Sequence, residues 1–168
     1  YVIMTDSACD LPEEYIKSHN LDVLNLMYNL EGTLYGGENQ LEIKDFYNRM
    51  RAGSMPTTMA VNPEEVKTAM RRHLEQDEDV LYLAFSSGLS ASCQNACLAA
   101  EDMREEFPGR KITVIDSLCA SMGQGLFVHR ALKLQEQGKS MEETAEWLES
   151  HKLNICHQFT VDDLYHLH

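Results

Sequence analysis

A chain of 168 residues is long enough for one ordinary domain with a real core, or for one domain and the start of another. It is 43% hydrophobic with four prolines and no biased tract, which excludes a disordered or fibrous chain. The formal charge of −13, with no local basic stripe, excludes nucleic acid and disfavours stable attachment to an anionic membrane. Brief membrane contact through an apolar patch stays open, and an acidic surface suits a basic patch on a protein partner. No apolar run approaches the ~18 residues of a membrane span, and no signal-peptide pattern opens the chain. The five cysteines (Cys9, Cys93, Cys97, Cys119 and Cys156) form no CxxC pair and match no zinc spacing. Free thiols in a reducing cytoplasm are expected.

Tyr1–Met4 reads as a short apolar strand ending in Thr5-Asp6-Ser7. Asp10-Leu11-Pro12-Glu13-Glu14 reads as a helix start, with Asp10 as N-cap and acids near the positive end of the dipole. Asp22–Leu30 reads as one extended stretch turned by Glu31-Gly32-Thr33, and Tyr35-Gly36-Gly37 as loop. Leu41–Arg51 has helical periodicity, with Ile43, Phe46, Tyr47 and Met50 on one face. Ser54–Thr58 reads as a turn, and Asn62-Pro63-Glu64-Glu65 caps a helix reaching Glu75.

Asp79–Phe85 (DVLYLAF) is apolar on both faces, as a central parallel strand should be. A serine turn comes next, then a predicted helix from Ser90 to Glu106. Lys111–Ile115 is a second buried strand, with Asp116-Ser117 at its end and a helix over Leu118–Gln137. Ser140 and Glu143 have capping-box spacing at the head of a helix ending near His151. Asn154–Phe159 is the last strand candidate, and Thr160–Asp163 resembles a further helix start. Strands alternating with helices imply βαβ units: a three-layer α/β/α sandwich with a mostly parallel sheet.

Ligands of such folds sit outside the carboxyl ends of the strands, near a helix N-terminus. Four hydroxyl-rich turns are expected there: Thr5-Asp6-Ser7, Thr57-Thr58, Ser86–Ser92 and Asp116-Ser117. One reading is an anion cradle, in which Ser90, Thr58 and helix N–H groups hold a carboxylate or phosphate without Lys or Arg. A plain helix-capping role competes with it, above all for Ser92 and for one of Ser86 and Ser87. A serine hydrolase would need G-x-S-x-G and a histidine base, where the chain offers F-S-S-G-L-S and only His157 near a strand end. His129 reads as an ordinary helix residue. A phosphatase using Asp6 and Asp10, with Asp116 as a further metal ligand, has its first acids four apart rather than two. No glycine-rich nucleotide loop is present.

TDSACDLPEE (5–14), PTTMAVNPEE (56–65), FSSGLSASCQNA (85–96), VIDSLCASMGQGL (114–126) and FTVDDLYHLH (159–168) together resemble the DegV family, in order and spacing. The resemblance implies a cytoplasmic bacterial fatty-acid-binding protein without catalysis of its own and without a cofactor. In that role it is the lipid-carrying subunit of fatty acid kinase, presenting an acyl chain to a separate ATP-binding subunit for acyl-phosphate formation. It implies a carboxylate held by Thr58 and Ser90, with Ser86, Ser87, Ala91, Asp116 and Ser117 supporting the same edge. Met27, Met59 and Met122 become candidates to line an acyl tunnel. The chain departs from the family at Met59-Ala60-Val61, where Ser-Gln-Pro is frequent, and at Ala91-Ser92, where Gly-Thr is usual. It also implies an N-terminal domain over 1–158, with 159–168 beginning a linker or second domain that family members continue.

Overall fold

The computed structural model describes residues 1–161. Four strands, β1 (Val2–Asp6), β2 (Asp22–Leu24), β6 (Val80–Ala84) and β7 (Ile112–Asp116), form one parallel sheet in the order β2-β1-β6-β7. Register runs Val2 opposite Val80 and Val80 opposite Ile112, so β1, β6 and β7 end at nearly the same level. Helices cover both faces, giving the expected three layers.

Alternation along the strands divides the core. Met4, Val80, Tyr82, Ala84 and Ile112 point toward α3 (Pro63–Leu74) and α4 (Ser92–Glu106). There Ala96, Ala99 and Ala100 of α4 are buried against the sheet face along with Val66 and Met70 of α3. Ile3, Leu81, Leu83 and Ile115 point the other way, to Phe127, Val128, Ala131 and Leu132 of α5 (Ser121–Glu136) and Met141 and Leu148 of α6 (Met141–His151). Tyr15 and Ile16 of α1 (Glu13–Ser18) close that side. Because neither face meets water, every residue of β6 is buried and the strand reads as one apolar run.

Local signals set several boundaries. Asn62 Oδ1 accepts from Glu64 N (2.9 Å) with Pro63 in the first turn of α3. The Ser140–Glu143 capping box starts α6 as expected, with both reciprocal bonds made. α5 packs closely on the 3-10 turn Ser7–Cys9 because Gly125 is bare: a Cβ there would lie 2.6 Å from Cys9 O and 3.2 Å from Leu11 Cδ2. Gly125→Ala is therefore expected to destabilise the fold by about 1–3 kcal/mol, since backbone and not a flexible side chain must yield. Urea denaturation monitored by circular dichroism reads this directly.

A second, three-stranded antiparallel sheet was not foreseen. β3 (Met27–Leu30), β4 (Thr33–Tyr35) and β5 (Thr57–Met59) run in the order β4-β3-β5. Glu31 (φ 55°) and Gly32 (φ 83°) form a two-residue hairpin turn, where two positive φ values match strand twist. Tyr28 stacks on Tyr35 (5.5 Å between centroids) and meets Phe46 of α2 (Ile43–Arg51) edge-on at 5.1 Å.

Five expectations are corrected. Asp22–Leu30 is two strands in two sheets, because Leu26 N donates to Ser7 Oγ (2.9 Å) where the chain leaves the main sheet. Thr57 and Thr58 belong to β5 and not to a turn at the main sheet edge. Asp10 is no helix cap: it is left-handed (φ 50°) behind the 3-10 turn, and α1 begins at Glu13 after Pro12. Leu118 (φ 53°) is likewise left-handed, so α5 starts only at Ser121. Asn154–Phe159 is not a strand; a 3-10 turn over Lys152–Asn154 leads into irregular chain. In the expected helix start at Thr160–Asp163, Asp162 and Asp163 lie outside the described residues. Among the described residues no helix is long and apolar enough to cross a membrane.

Candidate functional site

The carboxyl edge of the parallel sheet is laced by side-chain to backbone bonds. Asp6, fully buried at the end of β1, accepts from Phe85 N on Oδ2 (2.9 Å) and from Ala8 N (3.2 Å) and Gln124 Nε2 (3.1 Å) on Oδ1. Burial pushes its carboxyl above the usual aspartate range, against the pull of these three donors. Gln124 also donates to Thr5 Oγ1 (3.0 Å), which donates in turn to Leu83 O (2.7 Å). One acid and one amide thus tie together β1, the loop after β6, and α5. Both Asp6 oxygens are engaged while Asp10 is exposed, so the pair does not assemble as metal ligands. Among the described residues no group of His, Cys, Asp or Glu is arranged to hold a metal ion.

The loops after β6 and β7 brace each other. Ser117, buried, donates through Oγ to Ala84 O (2.6 Å) and accepts from Cys119 N (3.1 Å), while Ser86 N donates to Cys119 O (3.0 Å). Asp116 Oδ1 accepts from both Ser87 N and Leu118 N at 3.1 Å. Ser86 Oγ, buried, accepts from Gly88 N (3.3 Å). The geometry makes Ser86, Asp116 and Ser117 braces of the edge; Ser86 and Ser117 are buried and Asp116 half-buried, while Ser87 and Ala91 are exposed.

The head of α4 differs. Ser92 is fully buried, and its Oγ accepts from Val61 N (3.2 Å), while Asn95 Nδ2 donates to Val61 O (2.9 Å). The segment between β5 and α3 is thereby clamped to the first turn of α4. Ser90 Oγ accepts from Ser92 N (3.1 Å) and lies 2.9 Å from Ser92 Oγ. Either hydroxyl can donate in that pair, since Ser92 Oγ, accepting from Val61 N, still has a second lone pair. When Ser92 is the donor, Ser90 accepts twice and its own O–H is free to point outward. α4 begins at Ser92, after Ala91 as N-cap, two residues later than expected. Thr58, three residues before the clamp at Val61, is exposed on β5, directly opposite Tyr28.

Of the three methionines singled out, the small sheet pairs Met27 with Met59 in register. Met27 nests over Gly36, where a Cβ would come 2.5 Å from its sulfur, and Met59 is 49% exposed. Met122 stands apart on the first turn of α5, 57% exposed.

Sequence reasoning undervalued Ser92, Gln124 and Asp6. Ser92 looked like a plain turn residue, although a hydroxyl two places after Ser90 on a helix start was the available signal. Gln124 sits between two glycines in an otherwise apolar helix start, which marks a polar side chain pointing inward.

No serine of the 86–92 turn hydrogen-bonds a histidine among the described residues, and Ser90 answers to Ser92 instead. The buried thiols are also poor nucleophiles: burial pushes Cys93 up to about 12 and Cys119 up to about 11. Iodoacetamide at neutral pH is expected to label Cys156, which is exposed, well before Cys9, Cys93 and Cys119. Peptide mass spectrometry over a labelling time course checks the order.

A family model described as "Uncharacterised protein, DegV family" matches residues 1–168. The chain belongs to the DegV family. A DegV domain-containing protein of Clostridium perfringens is 40% identical over 99% of this chain and 58% of its own length. Two solved structures share the fold. One bears on fatty acid binding of a DegV family protein from Thermus thermophilus (36% identity, TM-score 0.80, 90% of this chain and 53% of that one). The other is a stearic-acid-binding protein from Eubacterium ventriosum (28% identity, TM-score 0.82, 89% of this chain and 52% of that one). This DegV chain therefore spans a little over half the length of the relatives it matches.

Proposed function

We propose that this DegV chain binds a long-chain fatty acid, with the carboxylate received by Thr58 Oγ1 and Ser90 Oγ at the head of α4. The observation that carries the reading is the Val61–Ser92–Ser90 chain of contacts, in which Ser92 can donate to Ser90 and so free the Ser90 hydroxyl to meet an anion at a helix N-terminus. The first-turn amides of α4 without intrahelical acceptors, near Ala91, add positive potential without a cation. Fatty-acid binding by the Thermus and Eubacterium relatives supports the choice of ligand. A desolvated carboxylate needs such donors, because leaving it unpaired costs several kcal/mol.

The tail supplies affinity at ~0.8 kcal/mol per buried CH₂, and the paired Met27 and Met59 offer the pliable apolar surface that suits it. Met122 on α5 is the third such contact in this reading. Ser86, Ser87, Ala91, Asp116 and Ser117 keep the edge rigid. The neutral hydroxyls orient the carboxylate without neutralising it, so a separate ATP-binding kinase subunit can phosphorylate it; the chain itself carries no catalysis and needs no cofactor. Residues 1–158 form the N-terminal domain of such a carrier, and 159–168 begin a linker or second domain. The setting is the bacterial cytoplasm, with transient membrane contact during loading. Incubation with a radiolabelled fatty acid and then gel filtration tests the reading: ligand should co-elute with the protein, and its failure to do so contradicts the proposal.

A further inference from the structure

Residues 27–60 make an excursion from the main body of the fold. Among the described residues, none of their side chains belongs to either of the two cores that flank the parallel sheet. They pack on one another instead, with Tyr28 stacked on Tyr35 and edge-on to Phe46. Leu26, just before the excursion, and Val61, just after it, both pack in the core beneath α3 and α4. Each crossing is held by side chains acting on backbone. At the entry, Leu26 N donates to Ser7 Oγ. At the exit, Val61 is gripped at both polar groups: its N–H donates to Ser92 Oγ (3.2 Å) and its C=O accepts from Asn95 Nδ2 (2.9 Å). Ser92 and Asn95 stand three residues apart, so one face of α4 presents an acceptor and a donor to the same residue. Asn95 N bonds Ala91 O (2.9 Å), which fixes the asparagine backbone in the first turn.

We propose that Asn95 is a positioning residue for the carboxylate: acting through Val61, it sets Thr58 on the small sheet against Ser90 at the head of α4. The inference rests on the fatty-acid reading above. Only Met59 and Ala60 separate Thr58 from the gripped Val61. On its other side Thr58 is tied to Tyr28 of β3, the one neighbour of the edge strand β5. The two proposed donors therefore stand on different units of the fold, and the grip on Val61 is what joins those units beside them. A donor displaced by ~1 Å falls outside the useful range of a hydrogen bond, so two hydroxyls hold one carboxylate only while their separation is fixed. Without Asn95 the Val61 carbonyl is released, and Val61 N alone still bonds α4 at the exit. A brace that serves stability alone would not choose between head groups; a positioning residue does.

A double-mutant cycle is the test: wild type, Thr58→Ala, Asn95→Ala and the double variant, each titrated with stearic acid and with stearyl alcohol by displacement of a fluorescent fatty acid. Asn95→Ala should weaken stearic acid roughly tenfold and the alcohol less than about twofold, because the two share the tail and differ in the charge-assisted bonds of the head group. In the Thr58→Ala background the same change should alter acid affinity by less than about twofold, since the group it acts through is gone. Asn95→Leu, close to asparagine in volume and a better helix former, should reproduce Asn95→Ala and stands in for it where the alanine variant does not fold. Equal losses for acid and alcohol, or a loss undiminished in Thr58→Ala, overturn the positioning role while leaving the fatty-acid reading in place. Acid affinity unchanged in Thr58→Ala alone overturns the assigned carboxylate site and the role of Asn95 with it. A wild-type protein that binds neither ligand overturns the fatty-acid reading itself, and the inference falls with it.

Discussion

Replacing Thr58 and Ser90 together by alanine should lower fatty-acid affinity by about a hundredfold or more while leaving the fold intact. Each hydroxyl would donate one charge-assisted hydrogen bond to the carboxylate, a class worth about 1.5–3 kcal/mol, and every 1.4 kcal/mol is tenfold. Thr58 is exposed and Ser90 partly so, which limits the structural cost of either change. Ser90→Ala alone is the more informative single substitution: it removes the acceptor for Ser92 N and the hydroxyl partner of Ser92 Oγ as well as the proposed donor to the carboxylate. Ser92→Ala gives the contrast. It should cost stability through the freed Val61 N, and it should misplace the Ser90 hydroxyl without removing it. A titration with a fluorescent fatty acid separates the cases, and equal affinities for wild type and double variant would sink the assigned site.

Asp6→Ala should destabilise the protein by about 2–4 kcal/mol at neutral pH, the largest stability effect expected of any residue at this edge. The substitution strips the acceptors from Phe85 N, Ala8 N and one proton of Gln124 Nε2, two of the donors coming from elements that Asp6 joins to β1. Relief of a buried charge offsets part of the loss, which keeps the figure below a simple sum. The pH dependence has a defined sign. Because the folded carboxyl is raised above its unfolded value, its favourable contribution is fully present below the ordinary aspartate range and declines as pH rises through the raised value. Asp6→Asn removes this titration, so the stability gap between wild type and Asp6→Asn should change across the acid-to-neutral window. Guanidinium melts of both proteins at several pH values measure it. A gap independent of pH would mean that Asp6 does not titrate on folding.

Elements set by local chemistry were legible before the structure. The Asn62-Pro63 cap, the Ser140–Glu143 box and the doubly buried β6 each carry their cause within a few residues. Two of the failures, the split of Asp22–Leu30 and the placing of Thr58, share one physical origin: a group captured by a partner far along the chain. Ser7 takes Leu26 N across 19 residues and so splits what looked like a single strand. Asp6 finds donors 79 and 118 residues away, and Asp10, read as a helix cap, instead closes the local 3-10 turn in a left-handed conformation with its N–H on Ser7 O. Thr58 looked like a turn residue because Pro56 precedes it, yet pairing with Tyr28 draws it into a sheet. The family was legible because its motifs fall at the ends of β1, β6 and β7 and at the start of α3, positions the fold cannot move. The helix-start hydroxyl marked Ser92, but its partner Val61, 31 residues away, shares no local pattern with it.

Native mass spectrometry of the protein, purified from bacteria without denaturation, bears most directly on the proposed carrier role. The prediction is a single non-covalent long-chain acyl species per protein molecule, absent from the Thr58→Ala, Ser90→Ala double variant. A wild-type protein that carries no such species, and takes none up when offered fatty acid, would contradict the account.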